Sequence, residues 1–276
     1  MRGATSFVLL SGLIACALVA SPVRAGDVDI VRALAREKAA AVSILKAKGQ
    51  KQIATMAQDR VFIAYINAST QGQGARLRAR MATMFGTLWN RFGLRGVALV
   101  DRAGELVIRV GEKPGAPTTF DVKRDPVASA GFAQAAFKVA TITDAETLTY
   151  AAPVIWRDRA EFVLSARQSL TVYRKVLTRG TANGVFVVLA DAKGRVLADT
   201  RNGTADGARG KLVAGLSLEA LKRAVKGSRD EGTGEVVRGN ERFNVSYQSV
   251  GDWTVVAAAS VAVPRRCPGA GARLCG

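Results

Sequence analysis

Histidine is absent from the sequence. The commonest general base, the commonest metal ligand and the side chain that titrates nearest neutrality are therefore all missing. Cysteine is scarce as well: Cys16, Cys267 and Cys275 are the whole supply, and none has a partner at zinc-site spacing. No glycine-rich phosphate-binding loop is present. With so few parts for hydrolytic, metal or nucleotide chemistry, no enzyme activity, catalytic residue, metal ligand or cofactor is expected. Aromatic residues make up only 6% of the chain. The basic residues are spread along it, which argues against a nucleic-acid platform of interleaved rings and arginines. Acidic residues are in deficit, 22 Asp and Glu against 40 Lys and Arg, for a net charge of +18. A field of that sign favours anionic ligands and surfaces.

A membrane-spanning run is missing too. The apolar stretch at residues 7–20 falls short of the roughly 18–20 residues that a bilayer-crossing helix needs. With Arg2 before it and SPVRA after it, ending at Ala25, the stretch reads as a cleavable secretory signal over residues 1–25. The mature protein is then periplasmic or secreted. Leu13-Ile14-Ala15-Cys16 also resembles a bacterial lipobox, so the alternative is a lipoprotein anchored at Cys16. Cys267 and Cys275, in the tail CPGAGARLC, either close a small loop in an oxidising compartment or stand as free thiols.

What is present is a repeated hairpin pattern. Residues 184–200, GVFVVLADAKGRVLADT, join two apolar runs through Asp191-Ala-Lys-Gly194. Residues 96–111, GVALVDRAGELVIRVG, do the same through Asp101-x-x-Gly104. Each glycine is free to take the left-handed conformation that closes such a turn. Each aspartate is a turn-starting residue whose carboxylate satisfies local backbone donors. Repetition of a supersecondary unit at this spacing suggests a duplicated module.

The remaining elements fall around the hairpins. Ile30, Leu34, Ala41 and Leu45 form one stripe of a long helix that begins near Asp27 or Asp29 and reaches about Asn67, with Gly49 as its candidate interruption. A second amphipathic helix covers 75–90. After the first hairpin, Asp125-Pro126 starts a helix, with Phe132, Ala135, Ala136 and Val139 on its inner side. Strands at 147–154 and 161–170 meet at a turn anchored by Trp156. Residues 171–183 read as a linker. In the second unit Ser217 caps a helix that Gly227 stops, and strands follow at 234–238, 242–249 and 253–261. The expected fold is α+β: a long N-terminal helix, then two modules with antiparallel sheets that resemble PAS-like (Cache) modules. The expected domains are 1–25, signal peptide; 26–95, the two helices; 96–172, the first, distal module; 173–263, the second, proximal module; and 264–276, a disordered tail.

This order of elements resembles the double Cache domain, the extracytoplasmic sensor of many bacterial chemoreceptors and histidine kinases. Met56-Ala57-Gln58-Asp59-Arg60-Val61 is similar to the segment before its first unit. GVALVDRAGELV and FVVLADAKGRVLADT are similar to its opening hairpins. Asn244-Val245-Ser246-Tyr247 and Gly251-Asp252-Trp253-Thr254-Val255-Val256 resemble its closing strands. The resemblance covers about residues 28–263. It implies an exported module that binds a small anionic metabolite, an organic acid or an amino-acid-like molecule, and signals to a membrane-bound partner, with no nucleic acid involved. The alternative is a basic envelope protein that binds anionic lipid or a protein partner without a small ligand.

The resemblance also implies that the first module binds. There Arg124 is a candidate bidentate partner for a carboxylate, Phe132 a pocket wall, Asp144 a holder of an ammonium or hydroxyl, and Tyr150 a further hydroxyl. The plainer readings are a solvated loop charge for Arg124, core aromatics for Phe132 and Tyr150, and a turn residue for Asp144. The Arg-x-Trp-Tyr element of amino-acid-binding relatives corresponds to Ser129-Ala130-Gly131-Phe132. That stretch keeps an aromatic but has neither Arg nor Trp, which points away from amino-acid recognition of the usual type.

Overall fold

The computed structural model describes residues 28–69, 74–111, 125–144, 146–201, 212–213 and 215–261. The candidate leader, Arg124 and all three cysteines lie outside them. Helix α1, Val28–Met56, is 29 residues long, about 44 Å at 1.5 Å per residue. Val31, Leu34, Ala35, Lys38, Ala39 and Val42 recur on its buried stripe. Gly49 does not interrupt it. The helix breaks instead at 57–59, where Asp59 starts α2, Arg60–Ser69, by accepting the Val61 N–H at 2.9 Å. Helix α3, Ala75–Phe92, ends on Gly93 at φ 61°, a left-handed stop that suits glycine. No helix among the described residues is long and apolar enough to cross a membrane.

The first sheet holds β1 Leu94–Asp101, β2 Leu106–Val110, β3 Ala140–Thr143, β4 Thr147–Trp156 and β5 Arg159–Ser169. Its order is β2-β1-β5-β4-β3, antiparallel throughout. Helix α4, Pro126–Phe132, packs on β3, β4 and β5. It is shorter than the sequence pattern implies: Ala128 and Gly131 make its buried side, whereas Ala135 and Ala136 lie beyond its end and are exposed. Between β4 and β5, Arg157 and Asp158 both have positive φ, as a two-residue hairpin turn requires, and the Arg157 guanidinium lies 4.2 Å from the Trp156 ring.

The expected linker at 171–183 is in part a helix, α5, Thr171–Thr178. Tyr173 and Leu177, one turn apart, are buried, and this pairing outweighs the basic, β-branched composition around them. The second sheet follows with β6 Val185–Asp191, β7 Val196–Asp199, β8 Lys226–Gly227, β9 Glu231–Arg238, β10 Glu241–Val250 and β11 Trp253–Val261, in the order β7-β6-β11-β10-β9-β8. Helix α6, Leu218–Ala224, is capped by Ser217, and it stops at Val225 rather than at Gly227 because β8 begins there.

The two opening hairpins are the same structure. Asp101 and Asp191 each donate their N–H at 3.0 Å to the carbonyl four residues on, and each receives that residue's N–H on Oδ1, at 2.8 and 2.9 Å. Gly104 and Gly194 sit at φ 85° and 76°. Both aspartates are turn residues. Helix α1 is shared: it lies on one face of both sheets, while α4 and α6 cover the opposite face of the first and second sheet respectively.

The joint between the modules is polar as well as apolar. Trp253 on β11, fully buried, donates Nε1 to Thr143 Oγ1 at 3.2 Å, and Arg195 Nη2 donates to the Thr143 carbonyl at 3.0 Å. Tyr173 meets the Trp253 ring edge-on at 5.0 Å, and the Lys46 ammonium lies 4.4 Å from the same ring. The buried Lys38 donates to Glu37 and to the Arg179 carbonyl just beyond α5.

Tyr150, Tyr173 and Gln168 form a buried cluster under α1, with the two hydroxyls 3.1 Å apart and both within reach of Gln168 Oε1. Burial pushes the Tyr150 pKa up to about 12, although the hydrogen bond with Tyr173 opposes it. Burial, the neighbouring Tyr150 charge and their hydrogen bond all raise Tyr173. Both hydroxyls are thus held neutral in the fold where an unfolded tyrosine ionises near pH 10. Above that pH the unfolded chain binds fewer protons than the native one, so stability falls as pH rises. Stability is expected to be unaffected by this cluster below about pH 10 and to drop by about 3 kcal/mol on Tyr150's account as pH approaches 12. Urea midpoints measured across that window check this, and Tyr150→Phe should flatten the slope.

Candidate functional site

The face of the first sheet that lies under α4 differs from every other sheet face in the molecule. Alternation along the strands sets its residues: Ala98 and Val100 from β1, Arg109 opposite Ala98 on β2, Val163, Ser165 and Arg167 from β5, and Thr149, Ala151 and Pro153 from β4. Most of these side chains are small. Helix α4 packs tightly on the sheet at Gly131, where a Cβ would run into the Val163 methyls and press on Ala151. The close approach there requires glycine. Phe132, half-buried, lies one turn after Ala128 and therefore on the sheet-facing side of α4. Arg109 is half-buried with its Nε fully buried, and it places a cation on this face.

The equivalent face of the second sheet is filled. Val188, Ala190, Val245, Tyr247, Val256 and Ala258 from the strands pack against Leu218, Leu221 and Val225 around α6, with Leu212 and Val213 beside them. Phe186 and Phe243 close its end with ring centroids 6.3 Å apart. Tyr247 spans this core to donate its hydroxyl to the Ser228 carbonyl at 2.5 Å. Among the described residues, large apolar side chains occupy this layer. The two modules share a backbone plan but not the contents of this layer.

The three described sequence candidates, Phe132, Asp144 and Tyr150, are not brought together. Arg124 lies outside the described residues. Phe132 is on the α4 side, facing the paved sheet. Tyr150 is turned to the opposite face, under α1, where it is fully buried and bonded to Gln168 and Tyr173. Its place one residue before Ala151 decides this, because neighbours on a strand point to opposite faces. Asp144 is a turn residue: its Oδ1 accepts from the Glu146 and Thr147 N–H groups at 2.8 and 2.7 Å, and its Oδ2 accepts from the Thr147 hydroxyl at 2.7 Å. Burial works to raise its pKa, but these donors and the Arg167 guanidinium outweigh it and hold the carboxyl below its ordinary value. A carboxylate so fully engaged has little left for a ligand.

Arg109, Ser165 and Thr149 escape a reading by composition. Their signal is a polar residue at an inward position of an otherwise apolar strand, such as the arginine in LVIRV. Chemically this face offers a fixed positive charge and hydroxyls on a shallow apolar floor. Among the described residues no group of three or more His, Cys, Asp or Glu is placed to hold a metal ion. A separate cleft of about 360 Å³ opens at the joint of α1 and α2, between Ala57, Ile63, Phe137 and Pro153.

No protein-family model matches the chain, and no curated protein matches it in sequence. Solved structures do. The ligand-binding domain of the Campylobacter jejuni chemoreceptor Tlp3, in complex with 4-methylisoleucine, superposes with a TM-score of 0.65 at 12% identity, covering 84% of this chain and 90% of that one. The sensor domain of the V. cholerae histidine kinase DctB gives 0.60 at 11% identity, covering 86% and 98%. The ligand-binding domain of the Pseudomonas fluorescens chemoreceptor CtaA, in complex with L-serine, gives 0.58 at 12% identity, covering 84% and 96%. At such identities the likeness is one of fold. The chain has the two-module fold of the sensory domains of chemoreceptors and histidine kinases, the double Cache arrangement that its order of elements resembles.

Proposed function

We propose that the protein is an exported sensor module, not an enzyme, that binds a small carboxylate-bearing metabolite between α4 and the first sheet. The observation that carries this reading is the contrast between the two modules. The first sheet's face is paved with Ala98, Ala151, Ser165 and Thr149 around Arg109, whereas the second's is packed solid. A concave, mostly apolar site with a few fixed polar groups is what small-molecule recognition requires. Arg109 pairs with the carboxylate and Phe132 walls the site, while Arg124 remains a second candidate cation. Asp144 and Tyr150 are not part of it.

Amino acids are the ligands named for the Tlp3 and CtaA domains. They belong in the first screen here, beside organic acids and, as a contrast, amines. In the sensor reading the long helix α1, which touches both sheets, presents the bound state to a membrane-bound partner, and the protein works in the periplasm or outside the cell.

A ligand at a hundred times its Kd stabilises the native state by about 2.7 kcal/mol, so a thermal-shift screen reads it directly. At least one carboxylate should raise the melting temperature, and Arg109→Gln should weaken that ligand by roughly 10- to 100-fold, the worth of a charge-assisted hydrogen bond. Were no carboxylate to stabilise the protein, or Arg109→Gln to leave its affinity intact, the reading would fall.

A further inference from the structure

Three non-glycine residues among those described have a positive φ. Arg157 and Asp158 are accounted for by their hairpin turn. Phe137, at φ 66°, is not. It is the third residue of a turn that Lys138 closes by donating its N–H to the Ala135 carbonyl at 3.2 Å. A positive φ at that place calls for glycine or asparagine, so a phenylalanine held there is strained. The fold gains little from the ring in return, because the residue is 71% exposed.

This turn lies in the connector 133–139, between the end of α4 and the start of β3. Phe137 lines the cleft of about 360 Å³ at the α1–α2 joint, together with Ala57, Ile63, Ala152, Pro153 and Ile155. Ile63 is itself 38% exposed. Two large apolar side chains, one on the connector and one on α2, thus stand in water around the same apolar cleft. The connector is also tied to both ends of the first module's machinery. On one side it continues from α4, which covers the candidate ligand face. On the other it leads into β3, an edge strand paired only with β4, whose last residue, Thr143, accepts hydrogen bonds from Trp253 and Arg195 of the second module.

We propose that the connector is a latch: the Phe137 ring closes into this cleft against Ile63 and Pro153, and in closing ties α4 and β3 to the α1–α2 joint. The occupant is the chain's own ring because that ring already borders the cleft and is tethered there, so closing it gives up no translational freedom. The walls are apolar, as a phenyl group requires. The charged residues of the cleft, Asp59, Lys138 and Asp158, are of both signs and select no ion. A closed latch holds α4 over the first sheet, and an open one frees it. That use in controlling ligand access rests on the sensor reading, whereas the latch itself does not.

Amide hydrogen exchange of the full chain, read on α4 and β3 with no ligand added, tests the latch. Phe137→Asn removes the ring and leaves a residue that tolerates the left-handed turn. It should speed exchange in α4 and β3 roughly 10-fold, which is what burying about half a phenylalanine side chain is worth. Ile63→Ala should speed the same amides, and the two changes together should do no more than Phe137→Asn alone. Val237→Ser, at an exposed apolar site on the second module, should leave those amides unchanged. All three side chains are exposed, so the variants keep the fold, which circular dichroism checks. A ring idle in solvent predicts the opposite sign: Phe137→Asn would relieve the turn and slow exchange or leave it alone. Either of those results, additive effects of Phe137→Asn and Ile63→Ala, or an equal response to Val237→Ser would overturn the proposal. Since no ligand enters, such a failure would leave the sensor reading standing.

Discussion

Trp253→Ala is expected to lower the stability of the protein by about 3–5 kcal/mol, the range for deleting a large buried aromatic. The figure belongs at the upper end because the indole is not only packed but bonded. It is fully buried, donates to Thr143 of the first module, meets Tyr173 of α5 edge-on and lies under Lys46 of α1. Removing it leaves the Thr143 hydroxyl without that donor and opens a cavity where both sheets, α1 and α5 converge. Val256→Ala, on the opposite face of the same strand, makes a suitable comparison: it should cost only the one or two kcal/mol of a smaller cavity. Chemical denaturation followed by circular dichroism reads both, and the Trp253 variant should also lose the single cooperative transition as the modules uncouple. Equal costs at the two positions would show that the joint is ordinary core.

The second large effect is at Gly49. Alanine is normally worth about 1 kcal/mol more than glycine inside a helix, yet Gly49→Ala is expected to destabilise by about 2 kcal/mol. A Cβ there falls on the Tyr150 hydroxyl and ring carbon. Tyr150 cannot step aside, because Gln168 and Tyr173 hold its hydroxyl and the ring is fully buried. Helix α1 cannot lift without opening both modules, so the strain of overpacking remains. Tyr150→Ala in the same background should relieve it, and the two changes together should then cost less than the sum of each alone by about 2 kcal/mol. Additive effects would place the origin of the glycine elsewhere.

Much of the fold is legible in the sequence, and the hairpins show why. Asp101 to Gly104 and Asp191 to Gly194 are specified within a few residues by turn chemistry, so pattern and structure agree down to the hydrogen bonds. The helix start at Asp125-Pro126 is equally local: Asp125 accepts the N–H groups of Val127 and Ala128 at 2.8 and 2.9 Å. Misreadings occur where a distant partner outweighs the local signal. Gly49 looks like a helix breaker until Tyr150 occupies the space beside it. Residues 171–178 look like a linker until Tyr173 and Leu177 find the joint between the sheets.

The candidate site divides along the same line. Phe132 and Asp144 were visible as residues of the right kind, but only the second has a role that its neighbours decide, and that role is a turn. Tyr150 and Ala151 are adjacent in sequence, and which of them faces α4 depends on which face of the sheet α1 covers.

The sequence by itself determines the two-module plan, because hairpins, caps and amphipathic stripes are set by residues within one or two turns of each other. The tertiary structure alone decides which sheet face each helix covers. Strand alternation assigns side chains to two faces without saying which helix will lie on either. Long-range packing of α1, α4 and α6 sets which layer holds leucine, valine and tyrosine and which holds alanine, serine and threonine beside Arg109 and Arg167.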